Sequence, residues 1–253
     1  MAAPSFSLQN QVAIISGGRR GIGKAMALKF AEAGADIVIC DLVSGDELEK
    51  TAEELRKSGR RVLAIPADVT KRPDVENVHQ KTMNQFGHID ILANCAGNQI
   101  IKPFLETTEE DWDSIMDTHL KGHYQCCQVV AKTMVEQKKG CIINMGSVSG
   151  IGAVDKHSAY CAAKAGIMMF TRVLARELAP YNIRVNSIAP SLIKTDLMTP
   201  WLTEEEFQKR DAAVPMGRMT SVDDIANIAL ILASDTANWI TGNFIRADGA
   251  LWA

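Results

Sequence analysis

The chain has 253 residues, of which 47% are hydrophobic and 23% charged, and its formal net charge is −3. This length and composition are typical of one globular α/β domain and exclude an extensively disordered chain. Lysines and arginines are scattered among carboxylates, so we expect no nucleic-acid partner and no association with an anionic membrane.

The N-terminal residues and the cysteines indicate where the protein works. Residues 1–11 contain no basic stretch followed by an apolar block, and no run of about 18 apolar residues could cross a bilayer. The six cysteines lack the spacing of a zinc site, and His119 and His123 have no third ligand. We therefore expect reduced thiols, no metal and a cytoplasmic protein.

Short β-rich runs alternate with amphipathic stretches along the chain. The runs predict strands over 12–16, 36–41, 62–65, 89–94, 141–145, 183–188 and 244–245. The stretches predict helices over 22–33, 46–58, 74–86, 122–137 and 159–178. Near-continuous apolar strands separated by helices are typical of a parallel sheet covered on both faces. The sequence therefore predicts a single α/β domain over residues 1–253, a doubly wound, Rossmann-like sheet of about seven strands.

Segment 190–215 does not follow this alternation. Its apolar side chains are Leu192, Ile193, Leu197, Met198, Trp201, Leu202 and Phe207. Thr203 and Glu206 have the spacing of a helix-capping box. Because so many apolar side chains would be costly in open water, we expect a substrate lid here, with a plain surface insertion as the alternative.

A glycine cluster follows the first predicted strand. Residues 12–16 lead into Gly17-Gly18-Arg19-Arg20-Gly21-Ile22-Gly23, where a helical pattern begins. Glycines in this position allow a tight turn and the close approach of a pyrophosphate, which is favoured at a helix N-terminus. Asp41 ends the next predicted strand, where an acid accepts hydrogen bonds from ribose hydroxyls. The two features together predict a dinucleotide site.

The same residues bear on the choice between NAD and NADP. Arg20 stands where a guanidinium could pair with a 2′-phosphate, and Arg19 adds a second cation. Asp41 opposes a 2′-phosphate, because a phosphate dianion beside a carboxylate is electrostatically unfavourable. We favour NAD because Asp41 would touch the hydroxyl itself, and NADP is the alternative.

Three residues form a catalytic pattern. Ser147 follows the strand at 141–145, Tyr160 comes thirteen residues later, and Lys164 stands one helical turn after Tyr160. Because side chains at i and i+4 share a helix face, the phenol and the ammonium can meet, which would lower the tyrosine pKa. Such a tyrosine can exchange a proton with an alcohol while a hydride moves to or from a nicotinamide.

Together these motifs resemble the short-chain dehydrogenase/reductase family over residues 7–251. The likeness rests on Gly17-x-x-x-Gly21-Ile22-Gly23, Asp68-Val69, Asn94-Cys95-Ala96-Gly97, Ser147, Tyr160-x-x-x-Lys164 and Ala189-Pro190 before Ile193-Lys194-Thr195. The resemblance implies that Tyr160 is the general acid/base, that Ser147 hydrogen-bonds the substrate oxygen, and that Lys164 lowers the phenol pKa and holds the nicotinamide ribose.

The resemblance also implies cofactor contacts and an assembly. The cofactor contacts are the glycine loop, Asp68 and Val69 beside the adenine, Asn94, Ala96 and Gly97 along the cofactor, and Ile193 and Thr195 at the carboxamide. Family members are commonly tetramers built through two long helices, here 122–137 and 159–178, so we expect a homotetramer.

The chain departs from the family pattern at three positions. His119 replaces an asparagine that normally helps to hold a water leading from the lysine to solvent. Imidazole titrates near neutrality and binds water, so His119 is either part of a proton relay or a packing residue that replaces the asparagine only in part. Cys95 replaces a second asparagine, and Ser191 replaces a glycine beside the expected lid.

The preferred function is hydride transfer between NAD(H) and a secondary alcohol or ketone. The side chains expected near the substrate are Asn98, Ser149, Asp155, His157 and Trp201. One alternative is an NADP-dependent 3-oxoacyl thioester reductase. Another is a dinucleotide-binding sensor without chemistry, against which the intact Ser147, Tyr160 and Lys164 argue.

Overall fold

A computed structural model describes residues 6–195 and 203–252 of the protein. The strands of this part of the chain are β1 Val12–Ser16, β2 Asp36–Asp41, β3 Val62–Pro66, β4 Ile91–Asn94, β5 Gly140–Met145, β6 Ile183–Pro190 and β7 Phe244–Ala247. The helices are α1 Gly21–Glu32, α2 Asp46–Arg56, α3 Arg72–Phe86, α4 Glu109–Met116, α5 Gly122–Gln137, α6 Ser158–Leu178, α7 Glu204–Ala213 and α8 Val222–Ala233.

The seven strands form one sheet in the order β3-β2-β1-β4-β5-β6-β7, and every neighbouring pair is parallel. This confirms the predicted doubly wound, Rossmann-like parallel sheet. β1 has β2 on one side and β4 on the other. Strands β2 and β3 therefore extend the sheet in one direction from β1, and β4 to β7 extend it in the other. In such sheets a crevice opens at the carboxyl ends of the strands where the order reverses.

The alternating side chains of each strand enter two separate cores, one on each face of the sheet. Ala13 and Ile15 of β1 pack with side chains of α1, α2 and α8, among them Phe30. Val12 and Ile14 pack on the opposite face with side chains of α3, α5 and α6. Because both faces of the sheet are buried, the sequence of each strand is a nearly continuous run of apolar residues.

The sequence analysis did not predict two helices, α4 and α8, although each begins with a capping box. Thr108 and Asp111 form the box of α4, and Ser221 and Asp224 form that of α8. Both boxes have aspartate where glutamate or glutamine is the usual signal. The predicted box at Thr203 and Glu206 begins α7.

The described part of segment 190–215 packs against the domain. Phe207 is 2% exposed and clusters with Val214, Met219 and the partly buried Leu192. Ile193 belongs to the main core. The other apolar residues of the predicted lid, Leu197, Met198, Trp201 and Leu202, lie outside the described residues. Within the described ranges, no helix has the length and apolar character needed to cross a membrane.

Candidate active site

The loop between β1 and α1 is tightly folded against the end of β4. Gly17 and Gly21 have positive φ angles of 66° and 56°. A Cβ atom on Gly17 would lie 2.8 Å from the backbone of Ala96, so only glycine fits there. Arg20 at the N-cap of α1 makes no side-chain cap, and the first turn contains no acidic residue. The first backbone N–H groups of α1 therefore suit an anion such as a pyrophosphate.

A cleft of ≈430 Å³ runs along the carboxyl ends of β1, β2 and β4. It gathers these predicted residues: Gly17, Arg20, Gly21, Ile22, Gly23, Asp41, Asp68, Val69, Ala96, Gly97, Asn98 and Thr195. It is also lined by residues to which the sequence reasoning gave no role: Leu42, Val43, Ala67, Thr70, Ser114 and Thr118. Its volume is within the range of small-molecule sites. Ser114 and Thr118 were missed because α4 was missed.

At the far end of this cleft, Asp41 is paired with Arg19 rather than with Arg20. Arg19 Nε lies 3.4 Å from Asp41 Oδ1, and Arg19 Nη1 lies 2.5 Å from Glu47 Oε2 on α2. Arg20 is exposed. The sequence analysis considered Arg20 first as the partner of a 2′-phosphate, whereas the guanidinium that lies beside Asp41 is that of Arg19.

Asp68 and Val69 form a fixed wall of the cleft. Thr70 donates its backbone N–H (2.9 Å) and its hydroxyl (2.8 Å) to Asp68 Oδ1. Partial burial raises the pKa of Asp68, but the hydrogen bonds from Thr70 and the nearby Lys71 outweigh burial and lower it. The Val69 carbonyl oxygen accepts a hydrogen bond of 3.0 Å from Gln125 Nε2 on α5. This wall is held by its own contacts before any ligand binds.

Two predicted cofactor residues lie beneath the cleft instead of lining it. The Asn94 side chain donates to Asn144 Oδ1 at 2.9 Å and to Cys127 Sγ at 3.3 Å, and Asn94 is 1% exposed. Ile193 is 5% exposed and packs in the core. Both side chains are buried, Asn94 at the end of β4 and Ile193 after β6, so they do not themselves line the cleft. Only their backbone is left for a cofactor contact.

The three predicted catalytic residues meet after the end of β5. Lys164 Nζ donates to the Met145 carbonyl oxygen at 2.7 Å and lies 5.4 Å from the centre of the Tyr160 ring. The Ser147 hydroxyl lies close enough to the Tyr160 phenol to lower its pKa. Ser147 Oγ also accepts the backbone N–H of Ser149 at 3.1 Å. Strand end and helix face thus bring together the hydroxyl, the phenol and the amine.

The electrostatics of this group differ from the sequence expectation. Burial raises the pKa of Tyr160 to about 12, and the nearby Ser147 hydroxyl, which lowers this pKa, only partly offsets the rise. Burial lowers the pKa of Lys164 to about 7, so a large share of its amine is uncharged near neutrality. The expected lowering of the tyrosine pKa by Lys164 is therefore wrong for the protein alone, because desolvation outweighs the attraction of a partly neutral amine.

His119 connects the cleft to Tyr160. It lies in a five-residue π-helical turn, Asp117–Lys121, that joins α4 to α5. Its ring meets the Tyr160 ring edge-on at 5.2 Å between centroids, and a Cβ on Gly97 would lie 2.6 Å from His119 Cε1. His119 Nε2 is 2.9 Å from the Asn98 carbonyl oxygen. Within the described ranges its Nδ1 is buried and has no hydrogen-bond partner.

His119 does not titrate near neutrality as the sequence analysis expected. Burial, together with the charge of the nearby Lys164, lowers the pKa of His119 well below its ordinary range. The imidazole is therefore neutral at physiological pH. Nε2 faces both the carbonyl oxygen of Asn98, at 2.9 Å, and its backbone N–H, at 3.3 Å, which leaves Nδ1 for a further hydrogen bond.

Three of the five predicted substrate residues lie close to the catalytic group. Ser149 follows Ser147, Asn98 borders His119, and the His157 ring is 6.1 Å from that of Tyr160. Asn98 Nδ2 donates to Ser114 Oγ at 2.9 Å, which ties its side chain to α4. Asp155 is exposed, and Trp201 lies outside the described residues.

Comparison with known proteins agrees with this geometry. Residues 17–251 match the family model described as enoyl-(acyl carrier protein) reductase. The chain is 38% identical to an NAD-dependent glycerol dehydrogenase of Listeria innocua, over 96% of this chain and 94% of the relative. It is 36% identical to a 3-oxoacyl-[acyl-carrier-protein] reductase of Staphylococcus epidermidis, over 96% of this chain and 99% of the relative.

A solved structure shares the same architecture. A short-chain type dehydrogenase/reductase from Mycobacterium marinum superposes with a TM-score of 0.93 at 34% identity, and the match covers 98% of both chains. The family model and the relatives span nearly the whole chain, including the glycine loop and the Tyr160-x-x-x-Lys164 pair. The protein is therefore an oxidoreductase that belongs to the short-chain dehydrogenase/reductase family.

Proposed function

We propose that the protein transfers a hydride between NAD(H) and a secondary alcohol or ketone, with Tyr160 exchanging a proton with the substrate oxygen. The observation that carries this proposal is the contact of Ser147, Tyr160 and Lys164 beside a cleft whose far end contains Asp41. The nicotinamide, when bound, supplies or accepts the hydride. The substrate is proposed to lie under the segment 190–215.

The residues of the cleft fit such a cofactor. The glycine loop and the first turn of α1 would hold the pyrophosphate, and Asp41 would accept hydrogen bonds from the ribose hydroxyls. Asp68 and Val69 would border the adenine, and Thr195 would meet the carboxamide. Ser147 would hydrogen-bond the substrate oxygen, which places that oxygen beside the phenol.

The tyrosine pKa gives the reaction a pH-dependent direction. A phenol with a pKa of about 12 is protonated at neutral pH and can give its proton to the oxygen of a ketone as the hydride arrives. Alcohol oxidation requires the phenolate instead. We therefore expect ketone reduction to dominate near neutrality and the initial rate of alcohol oxidation to increase with pH, as initial rates in both directions will show.

We propose that His119, as a neutral imidazole, helps a proton to pass between the active site and solvent. Its Nδ1, which has no hydrogen-bond partner among the described residues, can hold a water, and that water would carry the proton. This route does not require a charged imidazolium. Packing against Gly97 and Tyr160 without proton transfer is the competing interpretation.

A homotetramer is proposed from exposed apolar side chains on the two long helices. Tyr124 of α5 is 42% exposed, and Met169 and Val173 of α6 are 57% and 45% exposed. Apolar side chains on adjacent surface helices favour burial between subunits. Sedimentation of the purified protein tests this, and a monomer across the micromolar range would contradict it.

A second candidate function is the NADP-dependent reduction of a 3-oxoacyl thioester. It is favoured by the Staphylococcus epidermidis relative of that name and by the two arginines that line the cleft. Asp41 opposes it, because a 2′-phosphate would have to lie beside this carboxylate.

One screen tests these functions together. The protein is assayed with NAD+ and NADP+ against secondary alcohols, sugars, hydroxysteroids and hydroxyacyl thioesters, and with NADH and NADPH against the matching ketones. We expect turnover of a secondary alcohol or ketone with NAD(H). Faster turnover of the thioesters with NADP(H) would support the second candidate. Cofactor binding without turnover of any compound would favour a sensor.

A further inference from the structure

Three charged side chains at the adenosine end of the cleft form one ion-pair group, which we call the Arg19 group: Arg19, Asp41 and Glu47. Arg19 lies between the two carboxylates, with Nε 3.4 Å from Asp41 Oδ1 and Nη1 2.5 Å from Glu47 Oε2. The side chains of Arg19 and Asp41 are only 15% and 13% exposed. The guanidinium is thus enclosed in the cleft wall, whereas the Glu47 side chain that pairs with it is 65% exposed.

The backbone of Arg19 is held as firmly as its side chain. Thr51 Oγ1, one turn after Glu47 on α2, donates to the Arg19 carbonyl oxygen at 2.8 Å. Asp41 is held as well, because its Oδ1 accepts the backbone N–H of Val43 at 3.1 Å. Helix α2 therefore positions Arg19 on Asp41 through Glu47 and Thr51. Two residues of α2 thus contact Arg19 of the glycine loop, which pairs with Asp41 at the end of β2.

The charges of the Arg19 group oppose a 2′-phosphate. Two carboxylates and one guanidinium have a net charge of −1, and a phosphate monoester brings nearly two further negative charges. To bind that phosphate, Arg19 would have to leave at least one carboxylate, and both carboxylates would then repel the new anion. Arg20, in contrast, is exposed, and no ion pair of its side chain occurs in the described ranges.

We propose that Glu47 is a specificity-determining residue that, by holding Arg19 against Asp41, prevents the guanidinium from receiving a 2′-phosphate. This inference rests on the proposed use of a nicotinamide dinucleotide. Asp41 would accept hydrogen bonds from the ribose hydroxyls of NAD. Glu47 would keep the nearest cation, Arg19, from binding the 2′-phosphate of NADP. Without the Glu47 charge, Arg19 and Asp41 form a neutral pair from which the guanidinium can turn to a phosphate.

Direct binding measurements test the inference without catalysis. Calorimetry with 5′-AMP and adenosine 2′,5′-bisphosphate, which differ only in the 2′-phosphate, is applied to the wild type, Glu47→Gln and Glu49→Gln. Glu49 is the matched control, because it lies in the same helical turn and pairs with Arg56 at 2.5 Å, away from the cleft. NAD+ and NADP+ are then titrated in the same way.

We expect Glu47→Gln to tighten binding of the bisphosphate and of NADP+ about three- to tenfold, as suits the loss of one partly exposed ion pair. Affinity for 5′-AMP and NAD+ should change less than about twofold, within the scatter of such pairs. Glu49→Gln should match the wild type. The gain should disappear in the double variant Glu47→Gln/Arg19→Met, since the inference assigns it to the released guanidinium.

Two results would overturn the inference, and they differ from failure of the proposed function. The first is an unchanged preference in Glu47→Gln while NAD+ binds normally. The second is a gain that persists without Arg19, because the guanidinium would then have no part in it. If the wild type bound neither dinucleotide, the proposed function itself would fail.

Discussion

The proposed adenosine end of the cleft and the proposed catalytic group beside the cleft use charge in opposite ways. At the adenosine end, Arg19, Asp41 and Glu47 are ionised and paired with one another near solvent. At the catalytic end, burial moves Tyr160 and Lys164 toward their uncharged forms. Binding selectivity depends on fixed charges, whereas proton transfer requires groups whose charge can change during the reaction. The fold separates the two by placing the ion pairs between the end of β2 and α2, and the titrating groups on α6.

The largest expected effect is at the catalytic end. Tyr160→Phe removes the proton donor and should lower kcat by about 10²- to 10⁴-fold, the range of general acid catalysis. Tyr160 lies outside the adenosine end of the cleft, where we expect most of the cofactor contacts. The affinity of the variant for NAD+ should therefore stay within about threefold of the wild type. Steady-state kinetics and calorimetry measure the two quantities. Retention of wild-type kcat would exclude Tyr160 as the acid.

The next effect is at the phosphate loop. Gly17→Ala would place a Cβ atom 2.8 Å from the Ala96 backbone in a residue with a φ of 66°. We expect at least a tenfold weaker affinity for NAD+ and about 2 kcal/mol less stability, from strain and from displacement of the loop.

Gly59→Ala is the matched control for this variant. Gly59 has a φ of 78° but open space around it, so the control carries the same backbone strain without the clash. It should lose about 1 kcal/mol of stability and keep its affinity for NAD+. Equal affinities of the two variants would show that the close contact with Ala96 does not matter for binding.

The third prediction concerns Lys164, whose burial lowers the free energy of unfolding. Its pKa is about 7 in the folded chain against an ordinary value of 10.5, so the unfolded chain binds more protons between these pH values. The destabilisation caused by burying the charged amine is greatest below pH 7 and decreases as the pH rises from 7 to 10.5. Lys164→Met should therefore stabilise the protein by on the order of 2 kcal/mol at neutral pH, since loss of the bond to Met145 offsets part of the gain.

Denaturant unfolding across this pH interval measures the effect of Lys164→Met. The stabilisation should shrink steadily toward the alkaline end. Lys50→Met, at an exposed position of α2, provides a control whose effect should not vary with pH. A destabilised Lys164→Met variant would mean that the amine is not held in the desolvated state described above.

The smallest effect is expected at His119, between the two ends. His119→Phe removes both nitrogens and should lower kcat about tenfold, because no group is left there to hold the water of the relay, whereas His119→Asn, with an amide that can hold water, should stay within about threefold. Solvent deuterium isotope effects on kcat distinguish proton transfer from packing. Equal kcat and equal isotope effects in the two variants would discard the relay.

Much of the fold could be predicted because burial on both faces of a parallel sheet gives each strand an apolar run. The meeting of Tyr160 and Lys164 follows from helical spacing, and the position of Asp41 follows from the end of a strand. Glu47 could not be assigned, because its contact with Arg19 depends on where α2 packs. The direction of the Tyr160 pKa shift was wrong for a similar reason, since desolvation is set by tertiary neighbours such as Ile115.

The π-helical turn at Asp117–Lys121 has a consequence for how this active site tolerates insertions and deletions. Such a turn accommodates one residue more than a regular helix, and here that extra residue helps to bring His119 inward. Deleting one residue within this turn would restore regular α-helical winding and keep the faces of α4 and α5 in register, whereas deleting one residue from the first turn of α5 would rotate the rest of that helix by about 100°. Cys127, Val130 and Met134 would then turn away from the sheet that buries them. A one-residue deletion is therefore compatible with the core in the π-helical turn, where it would displace His119, but not in the helix that follows.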